Sequence, residues 1–360
     1  MKVLSRYIFR QFAASFLFAS IAFVLLFMLI DMVENLDDFV DQNIGTIGIL
    51  HYYSLTIPAT FQITAPVAAL LSSILAAGRL SASNELAALG SAGIGMRQII
   101  LPFMIGGTLI ALVNFFNASI VEPAAAGARI AYKRTMLNQT HRGLHDGINI
   151  QLLEPDGSVV TIGSFDPLRS TAKDVTIERF DGSRLRSRTD APEMAFNPQL
   201  QRWIIPVASR RSFVADTGSS EFSSGSDTLG LDVSPQSLRE LNLQPDEMTL
   251  LQHYRYLVDK ARAGFPKLER ASVKLHAKIA MPLASMIVIL IGVPLATMKQ
   301  RNGRAAEIAL ALFIGLLFLG MQRTVATMGY NGIIEPWVAA WLPLMLFLAA
   351  GLLLYRKAST

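Results

Sequence analysis

Long apolar runs alternate with short polar segments in the first and last thirds of this chain. A run of about 20 predominantly apolar residues is long enough to cross a bilayer as a helix. Six runs reach that length, three on each side of a long polar block: Phe12–Ile30, Tyr53–Gly78, Ile99–Val121, Ile279–Met298, Ala305–Ala326 and Trp337–Tyr355. The pattern predicts a polytopic α-helical membrane protein with six transmembrane helices in a 3+3 arrangement.

The polar block, residues 123–266, contains short strand-like stretches separated by turn sequences. Each of three turn sequences separates two such stretches. Glu154–Gly157 lies between Ile148–Leu153 and Ser158–Gly163, and Asp181-Gly182 lies between Val175–Phe180 and Leu185–Arg188. Asn197-Pro198 lies between Met194–Phe196 and Arg202–Val207. Proline presets one turn dihedral and glycine accepts the positive one, so these sequences favour turns. Closely spaced short strands predict an inserted β domain that resembles a sandwich or jelly roll.

Two further segments of the block have distinct compositions. Thr217–Gly230 is rich in serine and glycine, which favours a mobile loop. Thr249 and Gln252 match a capping box, in which two side chains satisfy the first N–H groups of a helix. We therefore expect three domains: residues 1–122 with the first three spans, 123–266 with the β domain and its linkers, and 267–360 with the last three spans.

Lysine and arginine in short loops mark the cytoplasmic side of a membrane protein. The basic residues of the short segments fall on one side of the predicted spans: Lys2, Arg6, Arg10, Arg79, Arg97, Lys299, Arg301, Arg304, Arg356 and Lys357. The first loop, Asp31–Tyr52, and the fifth, Met328–Pro336, contain none. This asymmetry predicts that both termini are cytoplasmic and that the β domain is periplasmic.

The segment Arg79–Arg97 joins the second and third spans and predicts a short cytoplasmic helix at about residues 81–92. Ser83 is expected to cap this helix, because its side-chain oxygen can accept an orphan N–H. Glu85 then lies in the first turn, where the helix dipole favours a carboxylate. Leu86 and Leu89 give the helix an apolar side. The segment is interpreted either as an ordinary capped loop or as a docking helix that transmits force from a soluble partner.

Composition and motifs exclude several kinds of function. Only 16% of the residues are charged, whereas ordinary globular domains have about a quarter, and the net charge of +5 comes from membrane loops and gives no nucleic-acid signal. The chain has no cysteine and no phosphate-binding G-x-x-x-x-G-K-[ST] motif. His141 and His145 are four residues apart, but the glycines around them favour a solvated loop over a metal site. We therefore expect no catalytic, cofactor or metal site.

Several short motifs resemble one family of transporters. They are Ser5-Arg6-Tyr7-Ile8, the APVAALL sequence of Ala65–Leu71, Asn84-Glu85-Leu86, Gly93, Val121-Glu122-Pro123 and Asn302-Gly303-Arg304. Together with the 3+3 layout, they resemble the lipopolysaccharide-export ABC permeases of the LptF/LptG family over essentially the whole chain. The resemblance favours the G-type subunit, although Asp31 and Glu34 stand where G-type members often have a basic residue.

The resemblance implies a location, a function and a set of partners. It implies an inner-membrane permease subunit that extracts lipopolysaccharide and passes it to a periplasmic bridge protein (LptC/LptA-like). It also implies a second permease subunit of the same family and a cytoplasmic ATPase (LptB-like). The short helix would seat in that ATPase and couple the two subunits. The residues implied in this coupling are Glu85, Leu86, Leu89 and Gly93.

Basic residues near the outer ends of two spans are candidate contacts for the lipid head group. Arg323 lies within the fifth span, where a charge is costly and usually faces a cavity or a partner. Arg129, Lys133 and Arg134 follow the third span. Arginine binds phosphate with two parallel hydrogen bonds, which suits a phosphorylated lipid. The alternative is that these side chains extend to lipid phosphates at the membrane surface or pair with the acidic first loop.

Two other functions fit a polytopic chain. A gradient-driven secondary transporter usually has inverted repeats and broken helices with an ion site at mid-membrane, but the sequence has no convincing internal repeat and no Asp or Glu in the core of any predicted span. A membrane-anchored structural or sensory protein would need fewer spans. Asn114 and Asn117, in the third span, are expected to form hydrogen bonds between helices rather than to contact substrate.

Overall fold

The computed structural model describes residues 2–136, 150–153, 157–166, 169–181, 184–200, 202–213, 220–229, 244–262, 268–297 and 304–359. The chain divides into two compact units. The membrane unit consists of Met1–Leu137, Pro245–Tyr254 and Lys267–Thr360. The β unit consists of Asn138–Gln244 and Arg255–Pro266. Each unit is described separately below.

The described helices are α1 (Lys2–Glu34), α2 (Leu36–Asp41), α3 (Thr46–Ala82), α4 (Glu85–Ser91), α5 (Met96–Phe116), α6 (Glu122–Met136), α7 (Leu250–Arg262), α8 (Glu269–Thr297), α9 (Arg304–Tyr330) and α10 (Pro336–Ser359). A π-helical turn, Asn117–Val121, joins α5 to α6. Within the described residues, six helices are long and apolar enough to span a membrane. The predicted polytopic helical protein with an inserted β domain is therefore confirmed.

The third spanning helix extends beyond its expected end. The sequence analysis places a boundary at residues 122/123, whereas the helix continues past Pro123 to Met136 and the compact units divide at 137/138. Proline lacks an N–H and normally interrupts a helix. Here the π-helical turn lies directly before it, and alanine, the strongest helix former, is frequent after it.

The helices α3 and α8 form the centre of the membrane unit. In the most apolar 18-residue stretch of α3, 72% of the residues are buried, whereas in the corresponding stretches of α1 and α9 only 17% are buried. Small residues allow this close packing: a Cβ atom on Gly292 of α8 would lie 3.1 Å from Leu70 Cδ1 of α3.

Two asparagines of the third span bind the backbone of α3. Pro66 has no N–H to donate to the carbonyl of Gln62, and Asn114 Nδ2 donates to that oxygen at 3.4 Å. Asn117 Nδ2 donates to the carbonyl of Pro58 at 2.8 Å. The expected hydrogen bonds between helices are confirmed, and the Asn114 bond shows how Pro66 is accommodated within a continuous spanning helix.

The described strands of the β unit form one antiparallel sheet with the order β1-β2-β3-β4-β5-β6. The strands are β1 (Ile150–Leu153), β2 (Val159–Asp166), β3 (Thr171–Asp181), β4 (Arg184–Asn197), β5 (Arg202–Phe213) and β6 (Ser220–Leu229). The three predicted strand pairs are confirmed. Each described strand pairs with the next, so these strands form a meander without the crossovers of a jelly roll.

The segment Thr217–Gly230 contradicts the expected mobile loop, because most of it forms β6. Nine registered pairs join β6 to β5, from Trp203 opposite Leu229 to Phe213 opposite Ser220. Serine and glycine have weak strand propensity, but the unpaired edge of β5 offers backbone hydrogen bonds that outweigh this preference.

A crease runs across four strands of the sheet. Buried residues alternate along each strand, as expected for one covered face, but one step on each strand spans three residues. These steps are Ile162–Phe165, Ala172–Val175, Ala191–Met194 and Ile205–Ala208. The pairings Ile162↔Val175 and Val175↔Ala191 place neighbouring steps side by side. The crease therefore changes which residues of each strand face the core.

Candidate functional site

The short helix α4 lies between the spanning helices α3 and α5, but Ser83 does not cap it. The capping position is Asn84, which has a left-handed backbone (φ 58°) and makes no side-chain cap. Because α3 continues to Ala82, Ser83 is the last position of that helix. Its hydroxyl oxygen lies 2.9 Å from the carbonyl oxygen of Arg79 and 2.8 Å from Glu85 Oε1, and its one O–H can donate to either.

The C-terminus of α4 explains the position of Gly93. The N–H of Gly93 donates to the carbonyl of Gly90, and the N–H of Ile94 donates to that of Leu89. This pair of bonds is a Schellman motif, which requires a left-handed residue at the position of Gly93, whose φ is 77°. Gly93 therefore has a structural role in ending the helix.

The four residues expected to couple the chain to an ATPase lie on or just after α4. None of the residues of α4, all of which the structure describes, is buried. Leu86 packs against the apolar core of the membrane unit and holds the helix there. Glu85 and Leu89 are half-buried, and Ala87, Ala88 and Ser91 are exposed. The arrangement is a short helix fixed on one side with an open outer surface of small side chains.

The candidate head-group residues lie on two helices of the membrane unit. Arg323 is exposed on α9. Arg129 and Lys133 are half-buried on α6 and share one face, since residues four apart are neighbours on a helix. The ammonium of Lys133 lies 5.3 Å from the centre of the Tyr52 ring, a cation–π contact. Arg134 belongs to α6, and its side chain lies outside the described residues.

These four residues do not form one described cluster. Arg129 lies close enough to Glu122 for their charges to interact. The positive charge of Arg323 likewise interacts with the phenol group of Tyr330. Arg323 belongs to α9, whereas Arg129 and Lys133 belong to α6. A common ligand would therefore have to extend from α9 to α6.

A polar cluster around Lys278 was not found by the sequence analysis. Lys278 is 5% exposed, although it lies on the spanning helix α8. Its ammonium donates to the carbonyl of Pro245, at 3.4 Å, and to that of Met248. One turn earlier, Lys274 forms an ion pair of 2.6 Å with Asp246. These contacts bind the segment Pro245–Tyr254 to the membrane unit.

His253 is buried in the same region. The side chain is 0% exposed, and burial, with a smaller contribution from the nearby Lys278 ammonium, lowers the pKa of His253 to about 4. The imidazole is therefore neutral near pH 7. The predicted capping box starts the helix that carries it: Gln252 N–H donates to Thr249 Oγ1 at 3.4 Å, and Thr249 N–H donates to Gln252 Oε1 at 3.0 Å. The capping box is confirmed.

The histidines His141 and His145, which are four residues apart in the sequence, lie outside the described residues. In the part of the chain that the structure describes, no group of three or more His, Cys, Asp or Glu side chains is placed to hold a metal ion.

The described residues contain six spanning helices, three before and three after the β unit in sequence, and these define the chain as a multi-pass membrane protein with an inserted β domain. Residues 6–357 match the family described as lipopolysaccharide export system permease LptF/LptG. The chain therefore belongs to the LptF/LptG family, as the sequence motifs predict.

Similar individual proteins include both subunit types. The chain is 20% identical to LptF of Escherichia coli K12 over 370 residues, which cover 98% of this chain and 94% of that protein. It is 22% identical to LptG of the same strain over 367 residues, which cover 99% of each. Because the two identities are so close, they identify the family and not the subunit type, and the preference for the G-type stays a prediction.

Proposed function

We propose that this chain is a permease subunit of an ABC transporter that extracts lipopolysaccharide from the inner membrane and passes it to a periplasmic bridge protein. The observation that carries the proposal is the family match, which spans both halves of the membrane unit and the β unit. The LptF and LptG proteins that the chain resembles carry lipopolysaccharide export in their names. ATP hydrolysis is assigned to a separate cytoplasmic subunit, because the sequence has no P-loop.

A second permease of the same family completes the transporter in this proposal. The helices α1 and α9 are the least covered spans of the membrane unit. They present large exposed apolar side chains, among them Phe18 at 77% and Phe313 at 65%. Such surfaces contact lipid or another subunit. A pair of subunits would use them to enclose a path for the lipid between the two chains.

The helix α4 is the proposed coupling element. It is anchored by Leu86 on one side and open on the other, and short connections join it to α3 and α5. A displacement of α4 by a bound ATPase would therefore act directly on two spanning helices. Glu85 provides a partly exposed carboxylate for a basic residue of that ATPase.

The decisive test is ATP-dependent release of lipopolysaccharide from proteoliposomes that contain this chain, a family partner and the co-expressed ATPase. We expect release only with ATP and only when a soluble periplasmic bridge protein is present. Release driven by an ion gradient without ATP would favour a secondary transporter. Absence of a co-purifying ATPase, together with absence of release, would favour a structural or sensory protein.

The orientation can be tested directly, because the chain has no cysteine. Ser91 on α4 and Ser223 on β6 are both exposed, so a cysteine at either position is open to reagents. We expect an impermeant maleimide to label Ser223→Cys from the periplasmic side and Ser91→Cys only after the membrane is opened, because the basic loops face the cytoplasm. Labelling of Ser91→Cys in intact spheroplasts would contradict the orientation.

Arg323 is proposed to bind a phosphate of the lipid. We expect Arg323→Ala to reduce photocrosslinking of lipopolysaccharide by about tenfold, since a charge-assisted hydrogen bond to phosphate is among the stronger polar contacts. Arg323→Lys should restore part of the signal, because lysine keeps the charge and lacks the planar fork.

The matched control is Arg270→Ala, since the guanidinium of Arg270 lies 5.6 Å from the Tyr330 ring and is already engaged there. Binding of the ATPase should be normal in both alanine variants. An equal loss of crosslinking in both variants would indicate a general effect of charge. Undiminished crosslinking in Arg323→Ala would favour the alternative, in which the Arg323 side chain extends to lipid phosphates at the membrane surface.

A further inference from the structure

A carboxylate on α9 lies against the backbone of α3, close to the end of that helix. Glu307 belongs to the first turn of α9. A Cβ atom on Gly78 of α3 would lie 2.5 Å from Glu307 Oε2 and 2.9 Å from both Oε1 and Cδ of Glu307. The carboxylate therefore occupies the space that any side chain at position 78 would need. Both residues belong to the membrane unit.

The contact lies about one turn before the end of α3. Gly78 is buried, Leu80 after it is 1% exposed, and α3 ends at Ala82. The short helix α4 follows directly, and its Leu86 packs against the apolar core to which Leu80 belongs. Glu307 therefore touches the part of α3 that holds α4.

Small residues continue the contact between α9 and α3 away from this end. Ala311 is 0% exposed, and a Cβ atom on Gly315 would lie 2.8 Å from Val67 Cγ1 of α3. Glu307, Ala311 and Gly315 are spaced by four residues and so lie on one face of α9. At these positions, the face that meets α3 combines two small residues with one carboxylate.

The position of Glu307 within α9 explains how its charge is accommodated. The side chain is half-buried, and the first turn of a helix favours a carboxylate because the helix dipole is positive there. Glu307 also takes part in a further polar interaction. Neither effect requires a glycine at position 78. The contact itself requires it, because α3 leaves no space there for a side chain.

The helix α9 can carry a displacement along its length. It is a continuous α-helix without proline, and sharp kinks occur mainly at proline, at glycine–serine pairs or at π-bulges. Arg323, the candidate head-group residue, lies on the same helix. At a rise of 1.5 Å per residue, it lies about 24 Å beyond Glu307 along the axis. A shift at the first turn of α9 would therefore reach Arg323.

We infer that Glu307 is a positioning residue, through which α9 follows the end of α3 when α4 is displaced. Packed interiors are nearly incompressible, so a contact without free space transmits a shift of one helix to the other. A displacement of α4 would act on α3, the contact of Gly78 with Glu307 would pass it to α9, and α9 would move Arg323 relative to the bound lipid. The inference deepens the proposed function and rests on it for the lipid and for the ATPase that displaces α4.

The test measures how much lipopolysaccharide is released per ATP hydrolysed in proteoliposomes that contain this chain, a family partner and the ATPase. Gly78→Ala adds one methyl group at the contact and keeps the carboxylate. We expect it to lower this ratio at least about fivefold, the lower end of typical coupling between two sites. Co-purification of the ATPase should be normal. Glu307→Asp keeps the charge but withdraws it from α3, so it should also lower the ratio.

The double variant Gly78→Ala/Glu307→Asp separates this contact from a general effect on either helix. The shorter aspartate makes room for the added methyl group, so the contact forms again and the ratio should recover most of its parent value. Effects of independent sites add. Two unrelated losses would therefore combine in the double variant and leave it less well coupled than either single variant.

The matched control is Gly351→Ala on α10. Gly351 is buried, and a Cβ atom there would lie 3.0 Å from Leu290 Cβ of α8. The control adds the same methyl group at a tight helix contact that involves neither α3 nor α9. We expect Gly351→Ala to lower the midpoint of thermal unfolding and to keep the parent ratio of lipid released to ATP hydrolysed.

Four results would overturn the inference: a parent-like ratio in Gly78→Ala or in Glu307→Asp, a double variant no better coupled than Gly78→Ala, loss of ATPase binding in Gly78→Ala, and an equal loss of coupling in Gly351→Ala. If Gly78→Ala does not assemble, the ratio measured for Glu307→Asp decides. The proposed function stands if the parent transporter releases lipopolysaccharide with ATP, whatever these variants show. It fails if the parent releases none.

Discussion

Lys278→Met is expected to destabilise the membrane unit by about 2–4 kcal/mol, because it removes a buried ammonium that satisfies two backbone carbonyls. Methionine fills the volume of the lysine stem, so the loss would report the polar contacts and not a cavity. The carbonyls of Pro245 and Met248 would lose their donor. The measurements are the midpoint of thermal unfolding in detergent and the rate of proteolysis in Pro245–Thr249.

The matched control for Lys278 is Lys274→Met on the same helix. Lys274 pairs with Asp246, and their side chains are 18% and 44% exposed. Water can still reach the Asp246 carboxylate, and ion pairs that water reaches contribute only about 0–1 kcal/mol. We therefore expect a small shift in the unfolding midpoint and little change in proteolysis. If Lys278→Met is as stable as the parent chain, the ammonium does not hold the segment Pro245–Tyr254 in place.

Hydropathy identifies the six spans, but it does not reveal a buried polar residue within a span, such as Lys278. A bilayer requires long apolar runs, so the six spans are evident from composition. The fourth spanning helix, α8, however, begins at Glu269, ten residues before the predicted start at Ile279. Polar residues at the start of a spanning helix lower the local hydropathy and hide its extent. Lys274 and Lys278 are four residues apart and so share a face, and this spacing was the available signal.

Short-range backbone rules were reliable where the local sequence alone determines the conformation. The capping box at Thr249 and the strand pairs joined by turns depend on residues within a few positions of each other. Ser83 has the right side chain for an N-cap, but α3 extends to Ala82, so Ser83 is the C-cap of α3. The packing of α3 against other helices decides where it ends, and the residues around Ser83 do not encode that packing.

The crease of the sheet and the strand β6 depend on contacts between strands that are distant in sequence. A one-residue change of register moves a side chain to the other face of a sheet. The crease has no distinct local motif, so the sequence analysis could not place Ile205 and Ala208 on one face. Strand β6 likewise depends on the free edge of β5 and not on its own composition.

Loss of the Glu85 carboxylate is expected to uncouple the chain from the proposed ATPase subunit. A transporter subunit without a P-loop must receive work through contact, and α4 is fixed to the membrane unit through Leu86. A buried, hydrogen-bonded charge pair between subunits costs about 2–5 kcal/mol when one partner is truncated. That cost corresponds to at least about tenfold weaker binding of the ATPase. Co-purification and lipid-stimulated ATP hydrolysis of Glu85→Ala would measure this loss.

Ser83→Ala is the control that separates docking from local structure. The Ser83 hydroxyl can donate to Glu85 Oε1, so its removal disturbs the same turn and leaves the carboxylate in place. Glu85→Gln provides the complementary change, since it keeps an oxygen acceptor for Ser83 and removes the charge. We expect ATPase binding to be weakened by Glu85→Ala and Glu85→Gln and to be nearly normal in Ser83→Ala. If all three variants bind the ATPase and hydrolyse ATP like the parent chain, α4 is an ordinary connection between two spans, and the coupling surface must lie elsewhere.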